Sequence, residues 1–411
     1  MPRKKAEEKT KGTKKKDKGQ EDEWGALTEV VQGAIKEYGH SPLHSAEGAD
    51  ATIVPRAGTG IFGMDMTTGG GLPMGRVSMA YGPAAGGKTT LLMRATAAAQ
   101  MLCANCYQPG EFERGVIELP DLKTGKRRKV ETLVIKNCPC GKPKNLITLW
   151  VDAEHVWLPS WAKRNGVRPE KVILLRPDFG EQAYDIAIAM LNSGAVRLIN
   201  IDSLAAMSPA KEIESSMTQE LQGVGARMNN KFLRKIVSMM NTCENKFGTT
   251  PTLWLVNQYR EKIGVFFGSP EVLPGGKGQG FSTTIEMEMR PGKQHIDKET
   301  NEPMFKDFKY VVKKNKVGVD GGRGEYRMSL QETQVWKIGD ILEHEAVIKK
   351  AVEMALIDKP SQQMYEYGGE SYRGISSLVR YFADNPDEYE KIKVTMLAMK
   401  MGVGNEEGED D

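Results

Sequence analysis

Gly82-Pro83-Ala84-Ala85-Gly86-Gly87-Lys88-Thr89 carries the spacing G-x-x-x-x-G-K-[ST] in full. A strand-like run, Arg76-Val77-Ser78-Met79-Ala80-Tyr81, precedes it, and a helix-like stretch over residues 90–100 follows. Strand, glycine-rich turn and helix in that order make a phosphate cradle. Gly82, Gly86 and Gly87 let backbone N–H groups close around phosphates, with Pro83, Ala84 and Ala85 completing the turn. Lys88 is placed to reach the β- and γ-phosphates, Thr89 to ligate Mg²⁺, and Thr90 to contact nucleotide beside it. The start of the helix adds partial positive charge at the same point. A glycine-rich chain can match such a spacing by chance, and the strand-before, helix-after context argues against that here. The segment reads as a nucleoside triphosphate site.

Outward from this loop, short apolar runs alternate with helical stretches. Residues 77–81, 147–151, 172–175, 198–201 and 252–256 are near-continuously apolar, as strands buried on both faces should be. Helical patterns fill 90–101, 181–191 and 221–243. This alternation predicts an α/β fold with a mostly parallel sheet covered on both faces. Residues 283–289, 308–312 and 326–330 lack intervening helices and are expected to extend the sheet antiparallel. Before the loop, Trp24, Leu27, Val31, Ala34, Ile35 and Tyr38 recur at helical spacing, and Ala51-Thr52-Ile53-Val54 reads as a short strand. Beyond Trp336 the pattern is that of a small helical unit reaching about Met401.

A length of 411 residues implies two or three folded units. No apolar stretch approaches the ~20 residues of a membrane span, and the lysine-rich start lacks the apolar core of a secretory signal. Residues 1–18 hold nine Lys/Arg against three acids, and the last six residues hold five acids. Neither end has the apolar content to offset ordering entropy, so both are expected to be disordered. Such tails serve either solubility or, more sharply, a basic arm on nucleic acid and an acidic tail competing for the same basic surface.

Four of the five cysteines interrupt the scheme at Cys103-x-x-Cys106 and Cys138-x-Cys140. Two such knuckles complete a tetrahedral thiolate site, and the missing signal peptide implies a compartment that disfavours disulfides. Structural Zn²⁺ is the expectation; an Fe–S cluster has no supporting sign. Between the knuckles, 116–122 and 130–135 read as two strands joined by Lys123-Thr124-Gly125-Lys126-Arg127-Arg128-Lys129, with Pro120 confining the first to a sheet edge. That turn is either an ordinary solvated one or a grip on phosphates. Cys243 ends a helix and reads as packed.

Nucleotide hydrolysis also needs carboxylates around the cradle. Leu198-Ile199-Asn200-Ile201-Asp202 ends a strand in an acid suited to the magnesium environment. The next candidate strand ends in Asp152-Ala153-Glu154-His155, with the acids expected to point into the ligand crevice. Glu154 is the candidate general base and His155 a supporting or packing residue.

From Ala51 to about Lys400 the chain resembles a bacterial RecA recombinase with the cysteine module inserted. The resemblance rests on an ordered set: Gly71-Leu72-Pro73-Met74-Gly75-Arg76, the phosphate loop, Asp152-Ala153-Glu154-His155, Gly180-Glu181-Gln182-Ala183, Ser193-Gly194-Ala195-Val196, Ile201-Asp202-Ser203, Ala226-Arg227-Met228, Asn257-Gln258 and Lys262-Ile263-Gly264-Val265. It implies that Glu154 activates water and that Gln258 senses the γ-phosphate. It further implies that Lys314 and Lys316 reach a neighbour's ATP, so that catalysis needs a filament; alone, the two lysines would read as a solvated strand end. Two DNA loops are implied, 213–219 with Met217 and 260–275 with Arg260, Lys262, Ile263 and Gly264, the isoleucine wedging between bases. Arg227 and Arg234, seven apart on a long helix, would face backbone phosphates together. Phe281 keeps the family's subunit-interface phenylalanine. Departures are Leu158 for the usual acid and Trp161 for the usual stacking tyrosine at the adenine, which keeps the stacking and removes one hydrogen bond to the base. Others are Ala84-Ala85-Gly86 in the phosphate loop and a missing glycine after Ile213-Glu214.

The organisation so implied is a disordered basic tail over 1–22, an oligomerisation helix and strand over 23–58 and a core over 59–335. The cysteine insertion occupies 102–146, a DNA-capturing unit with Asn385-Pro386-Asp387 lies over 336–401, and an acidic tail over 402–411. The expected cofactors are ATP, Mg²⁺ and structural Zn²⁺. The expected partners are single- and double-stranded DNA, further copies in a helical filament, and single-strand-binding or mediator proteins. The place implied is the bacterial cytoplasm, with the zinc insertion and basic tail hinting at a divergent or phage-borne member. Two other readings are a hexameric helicase-like motor, which usually supplies an arginine rather than a lysine pair across its interface, and a non-hydrolysing DNA-binding mediator, against which the intact Lys88, Glu154 and Asp202 argue.

Overall fold

The computed structural model describes residues 18–38, 54–216, 218, 221, 223–261, 271–276, 278–333 and 335–402, with 18–26 and 261 described by backbone alone. Lys18–Tyr38 is one helix and belongs to a unit separate from the rest. It starts earlier than the apolar periodicity indicates. The run Glu21-Asp22-Glu23 near its start suits the positive end of a helix dipole and lengthens it. The candidate strand at 51–54 falls, except for Val54, outside the described residues.

From Val54 on, a nine-stranded sheet organises the chain. Its order is Ile341–Leu342, Arg323–Ser329, Pro303–Asn315, Ile285–Ile296, Val77–Gly82, Thr252–Gln258, Leu198–Asp202, Thr148–Asp152, Val172–Leu175. Four of the five continuously apolar runs are central strands, buried along almost their whole length; the fifth, Val172–Leu175, is the last strand of the sheet and only half-buried. Alternation along each strand divides the core. Trp150, Leu198 and Trp254 face the helix Lys88–Ala99, with Leu91, Leu92 and Ala95. Leu149, Val151, Ile199, Ile201 and Leu255 face the helices Gly180–Asn192 and Val224–Phe247, with Ala187, Phe232 and Ile236. Cys243 is buried inside that last helix rather than ending it.

The run 283–289, expected to extend the sheet antiparallel, does not. Ile285–Ile296 runs parallel to the phosphate-loop strand, with Ile285 opposite Ser78, and only the strands after it are antiparallel. A parallel strand needs a crossover, and the segment between Gln258 and Ile285, containing the short helix Gly278–Ser282, provides it. The apolar pattern of that segment is too weak to announce a crossover.

After the sheet come the helices His344–Glu353, Ile375–Asp384 and Pro386–Met401 and a three-stranded sheet over Asp358–Ser361, Met364–Tyr367 and Glu370–Arg373. Their apolar faces close over Phe62 and Met66 of the helix Phe62–Thr68.

Candidate functional site

In-register pairing fixes the site. Gly82 lies opposite Gln258 and Asp152 opposite Asp202, so the phosphate loop and three polar strand ends share the carboxyl end of the parallel strands. The loop turns through positive φ at Gly82 (142°), Ala85 (57°) and Gly87 (85°), and the helix begins at Lys88. Alanine in that region is uncommon and costs on the order of 1 kcal/mol. A Cβ at Gly82 would sit 2.0 Å from the Met289 carbonyl oxygen, and one at Gly86 2.9 Å from the same atom. These glycines therefore make room for a neighbouring strand as well as for phosphate.

Lys88 is buried, and its Nζ donates to the carbonyls of Gly82 (3.1 Å) and Pro83 (2.5 Å). Burial lowers its pKa, so a phosphate taking the place of those carbonyls would meet an ammonium already largely stripped of water. Thr89 Oγ1 donates to Asp202 Oδ2 at 2.8 Å. Burial pushes Asp202 up to about 7. A hydroxyl and a carboxylate so paired are hard oxygen donors of the kind Mg²⁺ takes, directly or through water. Glu154 Oε1 accepts from Gln258 Nε2 at 2.6 Å and from Ser203 Oγ. A cleft of 330 Å³ is lined by 84–90, Glu154, Val156, Asp202, Val256, Gln258 and Phe308.

Asp152, expected to point into this crevice, instead ties down its own loop. It accepts from Val156 N (2.8 Å) and Trp157 N (3.3 Å), and Arg176 Nε lies 3.1 Å away. It thereby holds the turn that carries Glu154. Sequence reading missed Phe308 and Lys306. Phe308 lines the cleft and stacks on Tyr326 with ring centroids 5.2 Å apart, while Lys306 Nζ donates to Ala85 O at 3.1 Å. No motif signals either, because both arrive through sheet pairing from a strand more than 200 residues downstream of the loop.

The other predicted residues are not among those that line the cleft. Trp161 is half-buried, with its ring against Gly339 and the core. Lys314 Nζ donates to Gly280 O and lies 3.7 Å from Glu286; Lys316 Nζ donates to Phe281 O at 3.1 Å. The ring they flank, Phe281, is 82% exposed. Arg227 and Arg234 are both exposed on the Val224–Phe247 helix, opposite its buried Phe232, Leu233 and Ile236. Arg260 donates to Ala205 O at 2.8 Å. Met217, Lys262, Ile263 and Gly264 lie outside the described residues.

The sulfurs of Cys103, Cys106, Cys138 and Cys140 converge within 4.8 Å of one another, with Cys103 and Cys140 3.9 Å apart. Tetrahedral thiolates on Zn²⁺ stand about 3.8 Å apart; the four-thiolate donor set fits that ion, and the Cys138–Cys140 pair, at 3.1 Å, would have to open slightly to receive it. The segment between them is an antiparallel ribbon, Glu111–Pro120 paired with Arg127–Asn137. Both strands are longer than the apolar runs suggest, and Pro120 ends the first.

Fold and cleft together define an α/β protein of the P-loop ATPase class. The RecA N-terminal domain pattern matches residues 25–108 and 123–328, breaking off only within the cysteine-bounded segment. Protein RecA of Acidothermus cellulolyticus is 32% identical over 360 residues, covering 87% of this chain and 86% of the relative. Protein RecA of Psychrobacter arcticus is 30% identical over 382 residues, 92% of each chain. Protein RecA of Teredinibacter turnerae is 27% identical, covering 92% of this chain and 94% of the relative. The chain belongs to the RecA family, and at family level its role is in DNA recombination and repair. The relatives named are bacterial and give no support to a phage-borne origin.

Proposed function

We propose that this chain is a DNA-dependent ATPase that assembles helical filaments on single-stranded DNA and promotes homologous pairing and strand exchange in the cytoplasm. The observation that carries this is the separation of two half-sites. Lys88, Glu154, Asp202 and Gln258 converge on the cleft, whereas Lys314 and Lys316 gather beside an exposed phenylalanine at Gly280 and Phe281. A chain whose second set of cations stands away from its own phosphate loop is suited to completing a neighbour's site.

Within the cleft, Lys88 and the loop amides hold the phosphates. Thr89 and Asp202 would hold Mg²⁺, which when bound neutralises charge on the β- and γ-oxygens. Glu154 takes the proton of the attacking water. Gln258, hydrogen-bonded to Glu154 at one end of its strand, moves with the γ-phosphate and passes nucleotide state to the segment after Arg260. That segment, with Met217, Lys262, Ile263 and Gly264, would hold DNA, together with Arg227, Arg234 and Arg260. Trp161 would lie under the adenine. Zn²⁺ on the four cysteines would staple the ribbon. Residues 336–401 would capture duplex DNA, the helix near the N-terminus would join neighbouring subunits, and single-strand-binding or mediator proteins would assist loading. A ring-forming motor fits less well, because its trans-acting group is usually arginine.

The test is ATP hydrolysis with and without single-stranded DNA across a range of protein concentrations, alongside negative-stain images with a slowly hydrolysed ATP analogue. Strong stimulation, steep in protein concentration, with long helices is the expected result. A slow rate indifferent to DNA, or closed rings, would overturn the reading.

A further inference from the structure

The ribbon is longer than a zinc staple needs. Ten residues of strand span about 30 Å, and an isolated two-stranded hairpin is marginal in water. This one is secured at its base by the cysteine cluster, with Ile135 and Phe112 packed on it. Midway, Thr132 Oγ1 donates to Glu170 Oε1 of the core at 2.6 Å. Beyond Thr132, residues 116–130 have no buried side chain, and Val116 and Leu122 are exposed.

The turn at the far end is well defined. Asp121 Oδ1 accepts from Lys123 N (3.1 Å), Thr124 N (2.8 Å) and Thr124 Oγ1 (2.8 Å), and the Lys126 carbonyl accepts from Asp121 N at 2.6 Å. The one acid of the turn is thus engaged in shaping it. That leaves Lys123, Lys126, Arg127, Arg128 and Lys129, all exposed. Among the described residues only Arg127 of these forms an ion pair, with Glu118 at 3.4 Å, the acid that also stands opposite Lys129 in the ladder. Because strand side chains alternate, Arg127 and Lys129 project from one face of the ribbon and Arg128 from the other. An ordinary solvated turn needs neither long strands nor a four-thiolate base, and concentrated unpaired cations on a rigid arm are suited to a polyanion.

We propose that the tip of this ribbon, residues 123–129, is a binding element for the phosphate backbone of duplex DNA, separate from the loops that hold single strands. The duplex is favoured because a two-stranded ribbon fits the major groove, where cations on both faces meet both walls. This holds whether or not the chain performs strand exchange.

The experiment uses the full chain, with Lys126, Arg127, Arg128 and Lys129 all replaced by alanine. Duplex and single-stranded binding are measured by fluorescence anisotropy from 50 to 300 mM salt. Neutralising up to four phosphate contacts should reduce the slope of log K against log salt by roughly 2–4 and weaken duplex binding at low salt by about tenfold or more. Single-strand affinity and zinc content should match the parent. A companion variant, Lys126→Arg with Lys129→Arg, should retain duplex binding and its salt slope, tying the loss to charge. Unchanged duplex binding in the alanine variant would overturn the proposal, as would a parent chain that does not bind duplex. Equal losses on both forms of DNA would overturn the duplex assignment, and loss of zinc in the alanine variant with duplex binding also lost in the arginine variant would place the effect in the fold.

Discussion

Replacing Gly82 by alanine separates two reasons for a glycine at the start of the phosphate loop. If the residue serves only phosphate approach, alanine should leave the nucleotide-free protein intact and weaken binding alone. The geometry says otherwise. At φ 142° a side chain is strained whatever the space around it, and the added Cβ would lie 2.0 Å from the oxygen and 3.0 Å from the carbon of the Met289 carbonyl. That carbonyl belongs to the strand Ile285–Ile296 paired directly to the loop strand, so it cannot swing aside as a side-chain end would. Strain at such a dihedral costs about 1–3 kcal/mol, and overpacking a buried site about 1–3 more. The sum, roughly 2–6 kcal/mol, rivals the ~5–15 kcal/mol net stability of a domain and, spread over the unfolding entropy of a unit as long as Val54–Asp411, corresponds to a melting point lower by roughly 3–8 °C. Differential scanning calorimetry of the nucleotide-free protein, with ATP-analogue binding by titration, reads both quantities. An unchanged melting point with weakened nucleotide binding would refute the packing account.

Glu154→Gln should slow ATP turnover by about 10²–10⁴-fold, the usual contribution of a general base, while nucleotide affinity and melting point hold, since the amide oxygen can still accept from Gln258 and Ser203; fast steady-state turnover would remove it as the base. Lys314→Ala should abolish DNA-stimulated hydrolysis and leave nucleotide binding to dilute protein nearly intact; parallel loss of both would place the lysine in its own chain's site. Cys138→Ser should release zinc, by elemental analysis, without lowering the melting point of the core; global unfolding would make the insertion integral to the fold. Asp65 is buried, accepts from Thr59 N (2.8 Å) and Thr59 Oγ1 (2.7 Å), and is pushed by burial up to about 6. Its raised folded pKa makes its contribution fullest below the unfolded value and progressively lost as pH rises through 6. Between pH 5 and 8 the parent should therefore lose about 1.4 kcal/mol that Asp65→Asn does not. Equal pH dependence of the two in denaturant melts would count against it.

Much of the fold is written locally. The run Gly82 to Thr89 needs its own glycines and lysine to cradle phosphate, and 198–201 is almost continuously apolar because a central parallel strand is buried on both faces. The thiolate cluster is legible because two cysteine pairs on short turns are the spacing with which chains hold a tetrahedral metal ion. Glu154 and Asp202 are legible as strand-end acids and Gln258 through the family resemblance, but not the hydrogen bond that joins the first and third. Spacing along the chain could not separate Asp152 from Glu154. Tertiary packing did so, because burial between strand and loop gives Asp152 two amides and Arg176 and leaves Glu154 at the cleft.

Where Ile285–Ile296 runs was likewise decided by tertiary structure. Its direction depends on a crossover with no strong periodicity, and through that placement the Met289 carbonyl comes to explain Gly82, and Phe308 to line the cleft. Sequence by itself determines which residues can do chemistry, because side-chain type and local backbone preference are properties of neighbours in the chain. Which of them meet is settled by sheet pairing between segments up to more than 200 residues apart, since those contacts exist only once the strands have been ordered around a common core.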